Sequence, residues 1–194
     1  VACQTGESLL QVAKRVGIAI PHLCYKEGMA AAGNCRACVV EIKGERSLAP
    51  SCCRTVSPGM EVKSDSPRAQ RSQKLVLELL QATTQDEIAN EKNELSYWTK
   101  VAGITNNRFA PAEQTQQASP KDSSHPAISV NLDACILCTR CVRACRDTQV
   151  NDVIGLAFRG SEAKIVFDMD AVMGESTCVA CGECVQACPT GALL

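Results

Sequence analysis

The 194 residues carry 20 basic and 21 acidic side chains, a formal net charge of −1, so the composition offers no basic surface for nucleic acid. No signal-peptide pattern is visible, and no apolar run approaches the ~18 residues that a membrane-spanning helix needs. Aromatic residues make up only 3% of the chain, so the core has to be built from Val, Ile, Leu and Ala, and bound metal would supply folding free energy that so thin a core lacks.

In chain order, Ser8 followed by Gln11 predicts a capped helix with Leu9, Leu10, Ala13 and Val16 as its apolar stripe, ended by Gly17. Cys24, Cys35 and Cys38 follow. A strand is predicted at 39–42, a turn at Lys43-Gly44, and a return strand near 46–49 that delivers Cys52. A further short strand is predicted at 60–63. Cys3, in an expected leading strand, and Cys53, beside a candidate ligand, read as packed thiols. His22 reads as a packing residue, not a ligand.

Ser66-Pro67 opens a second helix whose predicted apolar face is Leu75, Val76, Leu79 and Leu80. Thr84 with Glu87 suggests another cap, and Leu95, Trp98, Val101 and Ala102 suggest a third helix ending at Gly103. Tyr97 and Trp98 read as packing anchors. Residues 110–127, rich in Pro, Gln, Ser and Ala without periodicity, read as a linker.

The tail contains two matching runs, Cys135, Cys138, Cys141, Cys145 and Cys178, Cys181, Cys184, Cys188, the second followed by Pro189. Each reads C-x₂-C-x₂-C-x₃-C. This is the spacing of bacterial ferredoxins with two [4Fe-4S] clusters, in which the fourth cysteine of each run serves the other cluster. Cys135, Cys138, Cys141 and Cys188 are therefore expected to hold one cluster, and Cys178, Cys181, Cys184 and Cys145 the other. Strands are predicted at 127–131, 151–157 and 164–168, and short helices at 140–146 and 182–187. Thr139, Ser176 and Thr177 are placed to donate hydrogen bonds to sulfur. Arg140, Arg143 and Arg146 either offset cluster charge or lie exposed on their helix. A structural zinc site or a disulfide set is the bland alternative, but C-x₂-C units without a secretory leader fit a reducing compartment, here the cytoplasm.

The spacing Cys24-x₁₀-Cys35-x₂-Cys38-x₁₃-Cys52 resembles a plant-type [2Fe-2S] domain, although plant ferredoxins open with C-x₄-C-x₂-C. It is more similar to the longer-looped variant of the large electron-transfer subunits of complex I and its hydrogenase and dehydrogenase relatives. Gly28 and Gly33 bracket the loop that would fold over the cluster. Zinc at the same four cysteines is the alternative. A β-grasp domain of that kind begins with a hairpin, so Val1 is expected to lie inside a longer chain.

A more specific resemblance lies in Ile20-Pro21-His22-Leu23-Cys24-Tyr25-Lys26, Gly33-Asn34-Cys35-Arg36-Ala37-Cys38, Asn107-Arg108-Phe109, Ser124-His125-Pro126-Ala127 and Glu175 through Leu193. These stretches resemble the N-terminal iron-sulfur portion of the alpha subunit of soluble, NAD-dependent molybdenum- or tungsten-containing formate dehydrogenases. The resemblance implies an α+β chain: a β-grasp [2Fe-2S] domain (1–65) lacking its first strand, a helical connector and linker (66–126), and a two-[4Fe-4S] ferredoxin-like domain (127–194). It implies an electron relay between a catalytic pterin domain and flavin- and NAD-binding iron-sulfur subunits, with the molybdenum or tungsten bis-pterin, flavin and NAD bound elsewhere. No counterpart of that family's catalytic cysteine or selenocysteine, histidine and arginine is present. Complex I large subunits also carry a [4Fe-4S] site of one histidine and three cysteines after the first domain; between Cys53 and Cys135 this chain has no cysteine, and its only histidine is His125. A subunit of an NAD-reducing hydrogenase or a standalone ferredoxin-like carrier is the alternative reading.

Overall fold

The computed structural model describes residues 1–84, 93–105, 108–109 and 121–194. The expected Thr84–Glu87 cap and most of the expected linker lie outside them. Helix α1 spans Leu9–Arg15; the Ser8 hydroxyl accepts from the Gln11 N–H and the Gln11 side chain accepts from the Ser8 N–H. That reciprocal cap satisfies two of the N–H groups a helix start leaves unpaired. Strand β1 (Val39–Ile42) is central to a small antiparallel sheet, with β2 (Ala49–Pro50) on one side and β3 (Val62–Lys63) on the other. The register pairs Val40 with Ala49 and Ile42 with Val62. The return strand is shorter than expected and starts where the expected one ends. Residues 1–7 form no strand, so Cys3 is exposed and donates to the Val1 carbonyl (3.4 Å).

Helix α2 (Pro67–Thr83) starts at Ser66, whose hydroxyl accepts from the Ala69 N–H, with Pro67 in the first turn, where its missing N–H costs nothing. Its buried face is Ala69, Gln73, Leu77 and Glu78, while Leu75 and Leu79 are exposed. The stripe is thus rotated from the expected one because two polar residues have partners inside. Gln73 Nε2 donates to the carbonyls of Val39 (2.8 Å) and Ser64 (3.3 Å), and the Glu78 carboxylate accepts from Arg108 Nε (2.8 Å). Helix α3 (Glu94–Val101) is capped by the Asn93 side chain and packs on α2. Trp98 is buried; Tyr97, expected to pack inside, is exposed.

In the tail, α4 (Arg140–Arg143) runs into one π-type turn at Ala144–Thr148. Strands β4 (Ile154–Ala157) and β5 (Lys164–Phe167) pair antiparallel, and α5 (Glu183–Ala187) carries the second run. The expected strand at 127–131 is present only as bridges, from Val130 to Asp122 and Leu193, with Ser129 and Leu194 exchanging backbone hydrogen bonds. The chain end is thereby laid beside the segment that leads into the first run.

Among the described residues, three apolar clusters organise the fold. One lies under the sheet (Leu9, Leu10, Val40, Ile42), and one lies between β4–β5 and the cysteine helices (Val142, Ile154, Phe167, Met173). The third joins the two halves: Leu23, Cys24 and Ala37 from the N-terminal part, Leu77, Leu95 and Trp98 from the helices, and Ile136 and Cys138 from the first run. Among the described residues, no helix is long and apolar enough to cross a membrane.

Candidate metal centres

The first site forms around Leu23-Cys24, both fully buried. His22 packs its ring against Tyr25 (centroids 5.9 Å) and Trp98 (5.4 Å), and its Nδ1 lies 2.8 Å from the Ile20 carbonyl, so Nδ1 carries the proton. The Cys52 loop is fastened twice. Ser51 donates its hydroxyl (2.7 Å) and its N–H (3.1 Å) to the Cys38 carbonyl, and Leu10 of α1 donates to the Ser51 carbonyl (3.0 Å). The capped helix therefore holds one cysteine loop against the other.

These contacts bring Cys24, Cys35, Cys38 and Cys52 together. The Cys24 thiol is pulled down to about 2 by hydrogen bonding from Cys35 and then Cys52, and Cys38 is pulled down to about 6 by Cys52. The Cys35 and Cys52 thiols are pushed up, chiefly by the hydrogen bonds they give to those sulfurs and then by burial. Four sulfurs this close share protons in the absence of a cation, and an electropositive centre among them would let all four ionise. The donor set fits a [2Fe-2S] group. Cys53, expected to be packed, is exposed; its Sγ lies 3.6 Å from Cys52 Sγ and only 2.7 Å from where a Cβ on Gly33 would stand.

The two runs of the tail adopt the same local structure. Leu137 (φ 53°) and Ala180 (φ 57°) occupy equivalent left-handed positions, as do Thr139 (φ 58°) and Gly182 (φ 77°). For residues with a Cβ this conformation costs roughly 1–2 kcal/mol. It turns the Leu137 N–H onto Cys135 Sγ and the Ala180 N–H onto Cys178 Sγ, each at 3.4 Å. The three hydroxyl side chains expected near sulfur are engaged elsewhere. Ser176 donates to the Met173 carbonyl, Thr177 donates to Asp168, and Thr139 accepts from Asn34 Nδ2 (3.2 Å).

A cavity walled by Leu132, Ile136, Ile165 and Leu193 is lined by the sulfur-bearing residues Cys135, Cys138, Cys141 and Cys188. Cys188 thus stands with the first run. Cys184 has Cys178, Cys181 and Cys145 as its electrostatic neighbours, so Cys145 stands with the second. Burial pushes Cys135 up to about 11, Cys138 up to about 12, Cys184 up to about 11 and Cys141 well above the usual thiol value. Desolvated thiols of this kind ionise in place only against positive charge, which iron provides. Four thiols lining one cavity between apolar walls fit a polynuclear group such as [4Fe-4S].

Two residues whose placement the sequence left open join the sites. Arg140, 2% exposed, gives two N–H groups to the Glu94 carboxylate (2.6 and 2.8 Å) and one to the Tyr25 carbonyl. Arg143, 6% exposed, donates to the carbonyls of Cys24 (2.6 Å), Ala30 (2.5 Å), Thr139 (3.3 Å) and Cys138 (3.4 Å). Arg146 alone of the three is exposed, paired with Asp147. In contrast to the first run, whose cysteines are buried or half-buried, the second run reaches the surface: Cys181 is exposed and Val179 is 63% exposed.

Comparison with known proteins agrees with this geometry. The family model for a 2Fe-2S iron-sulfur cluster binding domain matches residues 1–67, and that for a 4Fe-4S dicluster domain matches residues 118–192. The chain is 35% identical to the NADP-reducing hydrogenase subunit HndD of Solidesulfovibrio fructosivorans, over 97% of this chain and 33% of that protein. It is 30% identical to "Putative formate dehydrogenase SH0748" of Staphylococcus haemolyticus (98% and 19%), and 30% identical to the mitochondrial NADH-ubiquinone oxidoreductase 78 kDa subunit of Neurospora crassa (100% and 26%). The chain therefore spans about a fifth to a third of these curated relatives. Its fold matches a crystal structure of an NAD+-reducing [NiFe]-hydrogenase in the H2-reduced state, with a TM-score of 0.89 and 28% identity, over 100% of this chain and 82% of that one.

Proposed function

We infer the role of a chain that belongs, in its two halves, to the 2Fe-2S iron-sulfur cluster binding domains and the 4Fe-4S dicluster domains, and is an electron-transfer portion related to NADH-ubiquinone oxidoreductase, NAD-reducing hydrogenase and formate dehydrogenase subunits. The observation that supports the reading is the gathering of Cys24, Cys35, Cys38 and Cys52 into one hydrogen-bonded group and of Cys135, Cys138, Cys141 and Cys188 around one cavity. Cys24, Cys35, Cys38 and Cys52 would hold the [2Fe-2S] group. Cys135, Cys138, Cys141 and Cys188 would hold one [4Fe-4S] group, and Cys178, Cys181, Cys184 and Cys145 the other.

When bound, such groups supply one-electron redox capacity and nothing else, so the protein contributes ligation, burial and hydrogen bonds. The carbonyls of Cys24 and Cys138 are clasped by one guanidinium, which fixes the first two sites relative to each other. Leu137 and Ala180 direct their N–H groups at sulfur, where they would stabilise negative charge on a bound cluster. The exposed residues 179–181 are the surface at which a partner approaches. The organisation is a [2Fe-2S] domain (1–65), a helical connector (66–126) and a dicluster domain (127–194); the Ser66 cap and the family match over residues 1–67 support the first boundary.

In finer detail, this relay serves a formate dehydrogenase that couples formate oxidation or CO₂ reduction to NAD, joining a molybdenum or tungsten bis-pterin domain to flavin- and NAD-binding iron-sulfur subunits in the cytoplasm. The stretches from Ile20 to Cys38 and from Glu175 to Leu193 support it, as does the similarity to the Staphylococcus haemolyticus protein. The higher identity to HndD and the match to the NAD+-reducing hydrogenase favour a second reading, in which hydrogen is the electron source. Anaerobic addition of formate or of H2 to the natural complex, followed by EPR, separates the two. Formate-dependent appearance of the reduced signals supports the first reading. Reduction by H2 alone supports the second, and no reversible signal with either donor or with dithionite rules out a relay.

A further inference from the structure

The two cysteine runs repeat position for position, which makes each an internal control for the other. Aligning Cys135–Cys145 with Cys178–Cys188 sets Thr139 against Gly182, Val142 against Val185 and Ala144 against Ala187. At two helix positions the repeat breaks in charge: Arg140 stands where the second run has Glu183, and Arg143 where it has Gln186. Both arginines are buried against the N-terminal half, whereas the second run faces outward.

The two arginines do different work. Arg140 is paired with the Glu94 carboxylate, so its charge is neutralised locally while its fork ties the connector to Tyr25. Among the described residues every hydrogen-bond acceptor of Arg143 is a main-chain carbonyl, two from the N-terminal half (Cys24, Ala30) and two from the first run (Cys138, Thr139). Its positive charge is buried against the backbone of one residue from each of two cysteine sets; the Asp147 carboxylate, paired with Arg146 at the surface, feels that charge without accepting a hydrogen bond from it. The Cys138 carbonyl also accepts from Asn34 Nδ2 (3.4 Å), a neutral donor. Reduction adds negative charge to both sites, and a fixed buried cation favours the more negative state of each, by an amount that water scarcely screens.

We propose that Arg143 is a positioning residue shared by two redox sites: its fork fixes the Cys24 and Cys138 backbones in one arrangement, and its charge raises the reduction potentials of the Cys24 and Cys135 sets together, separating the latter from its twin at Cys178. The inference rests on the ligand assignment under Proposed function. No bond forms or breaks and no proton moves; an electron lost at one site is the one gained at the other.

The test is a redox titration followed by EPR on the natural full-length protein carrying its clusters, for wild type, Arg143→Gln, Arg143→Lys and Arg140→Gln. Arg143→Gln makes the first run match the second at this position. It is expected to lower the [2Fe-2S] midpoint and that of the Cys135-set cluster by about tenfold in reduction equilibrium, about 59 mV for one electron, leaving the Cys178-set midpoint in place. Arg143→Lys keeps the charge and loses the fork, and is expected to retain most of the potential. Arg140→Gln is expected to loosen the domain contact with smaller, unequal shifts. Three intact signals at wild-type midpoints in Arg143→Gln overturn the proposal and leave the ligand assignment standing. If Arg143→Gln does not accumulate, Arg143→Met decides: lowered [2Fe-2S] and Cys135-set midpoints support the proposal, and wild-type midpoints overturn it. Absence of one of the three signals from wild type would overturn the assignment and the proposal with it.

Discussion

Replacing Arg140 by Met tests whether the two halves are locked as the contacts indicate. Methionine keeps an apolar stem of similar length and removes three donors: two to Glu94 and one to the Tyr25 carbonyl. Hydrogen bonds to a charged group contribute roughly 1.5–3 kcal/mol each when buried. Glu94 is 40% exposed on its side chain, so its share is discounted for solvent screening. Arg140 Nε is buried without a partner among the described residues, a cost the substitution relieves. The Tyr25 carbonyl, in contrast, loses a buried donor. The net expectation is a loss of about 2 kcal/mol, which corresponds to a roughly thirtyfold fall in hydrogen-exchange protection if the contact opens locally. The assay is amide exchange by mass spectrometry over residues 20–30 and 94–101 of the cluster-loaded protein. Protection within about threefold of wild type in both segments would refute the reasoning, since that is well under 1 kcal/mol.

Cys145→Ser is expected to damage the cluster of the Cys178 set and Cys188→Ser that of the Cys135 set, as read by iron content and EPR; loss of the cluster within the mutated run alone contradicts the crossed arrangement. Gly33→Ala combines a left-handed backbone (φ 64°), costing roughly 1–2 kcal/mol, with a 2.7 Å approach to Cys53 Sγ. Adding Cys53→Ala to Gly33→Ala should restore the part due to the clash and leave the backbone part, as measured by thermal unfolding. The Asp122 carboxyl is held below the usual carboxylate range by hydrogen bonding from Ser124 and then from the Met173 N–H (2.6 Å). Because the folded pKa is lowered, this stabilisation is present above the unfolded carboxyl value of about 3.9 and is lost as pH falls through the folded value. Asp122→Asn should cost about 1 kcal/mol at pH 7, and its deficit should close toward pH 3 in denaturant titrations.

Helix starts were legible because each is written locally: Ser8 with Gln11, Ser66 with Pro67, and the apolar positions Leu95 and Trp98 of α3. For the cysteines, spacing is what points to three sets, because it constrains which thiols reach a common centre. The buried face of α2 was not, because an apolar stripe is a safe guide only where buried positions are apolar. Gln73 and Glu78 are inside because Val39 and Arg108 answer them from 34 and 30 residues away. Tyr97 and Trp98 are adjacent, and the buried face of α3 runs through Leu95, Trp98 and Thr99, which leaves Tyr97 outside. The arginine clasp was the least legible part. Its acceptors in the N-terminal half, the carbonyls of Tyr25, Ala30 and Cys24, lie more than 100 residues upstream, and a carbonyl leaves no mark in a sequence. The signal available was the charge difference between two otherwise matching cysteine runs.

Metal and sulfide analysis of the anaerobically purified protein, paired with EPR of the dithionite-reduced form, tests the central claim most directly. Twelve thiolates in three sets predict about ten irons per chain with matching acid-labile sulfide, and reduced signals of both the [2Fe-2S] and [4Fe-4S] kinds. Zinc in place of iron, with sulfide absent and no signal on reduction, would contradict it.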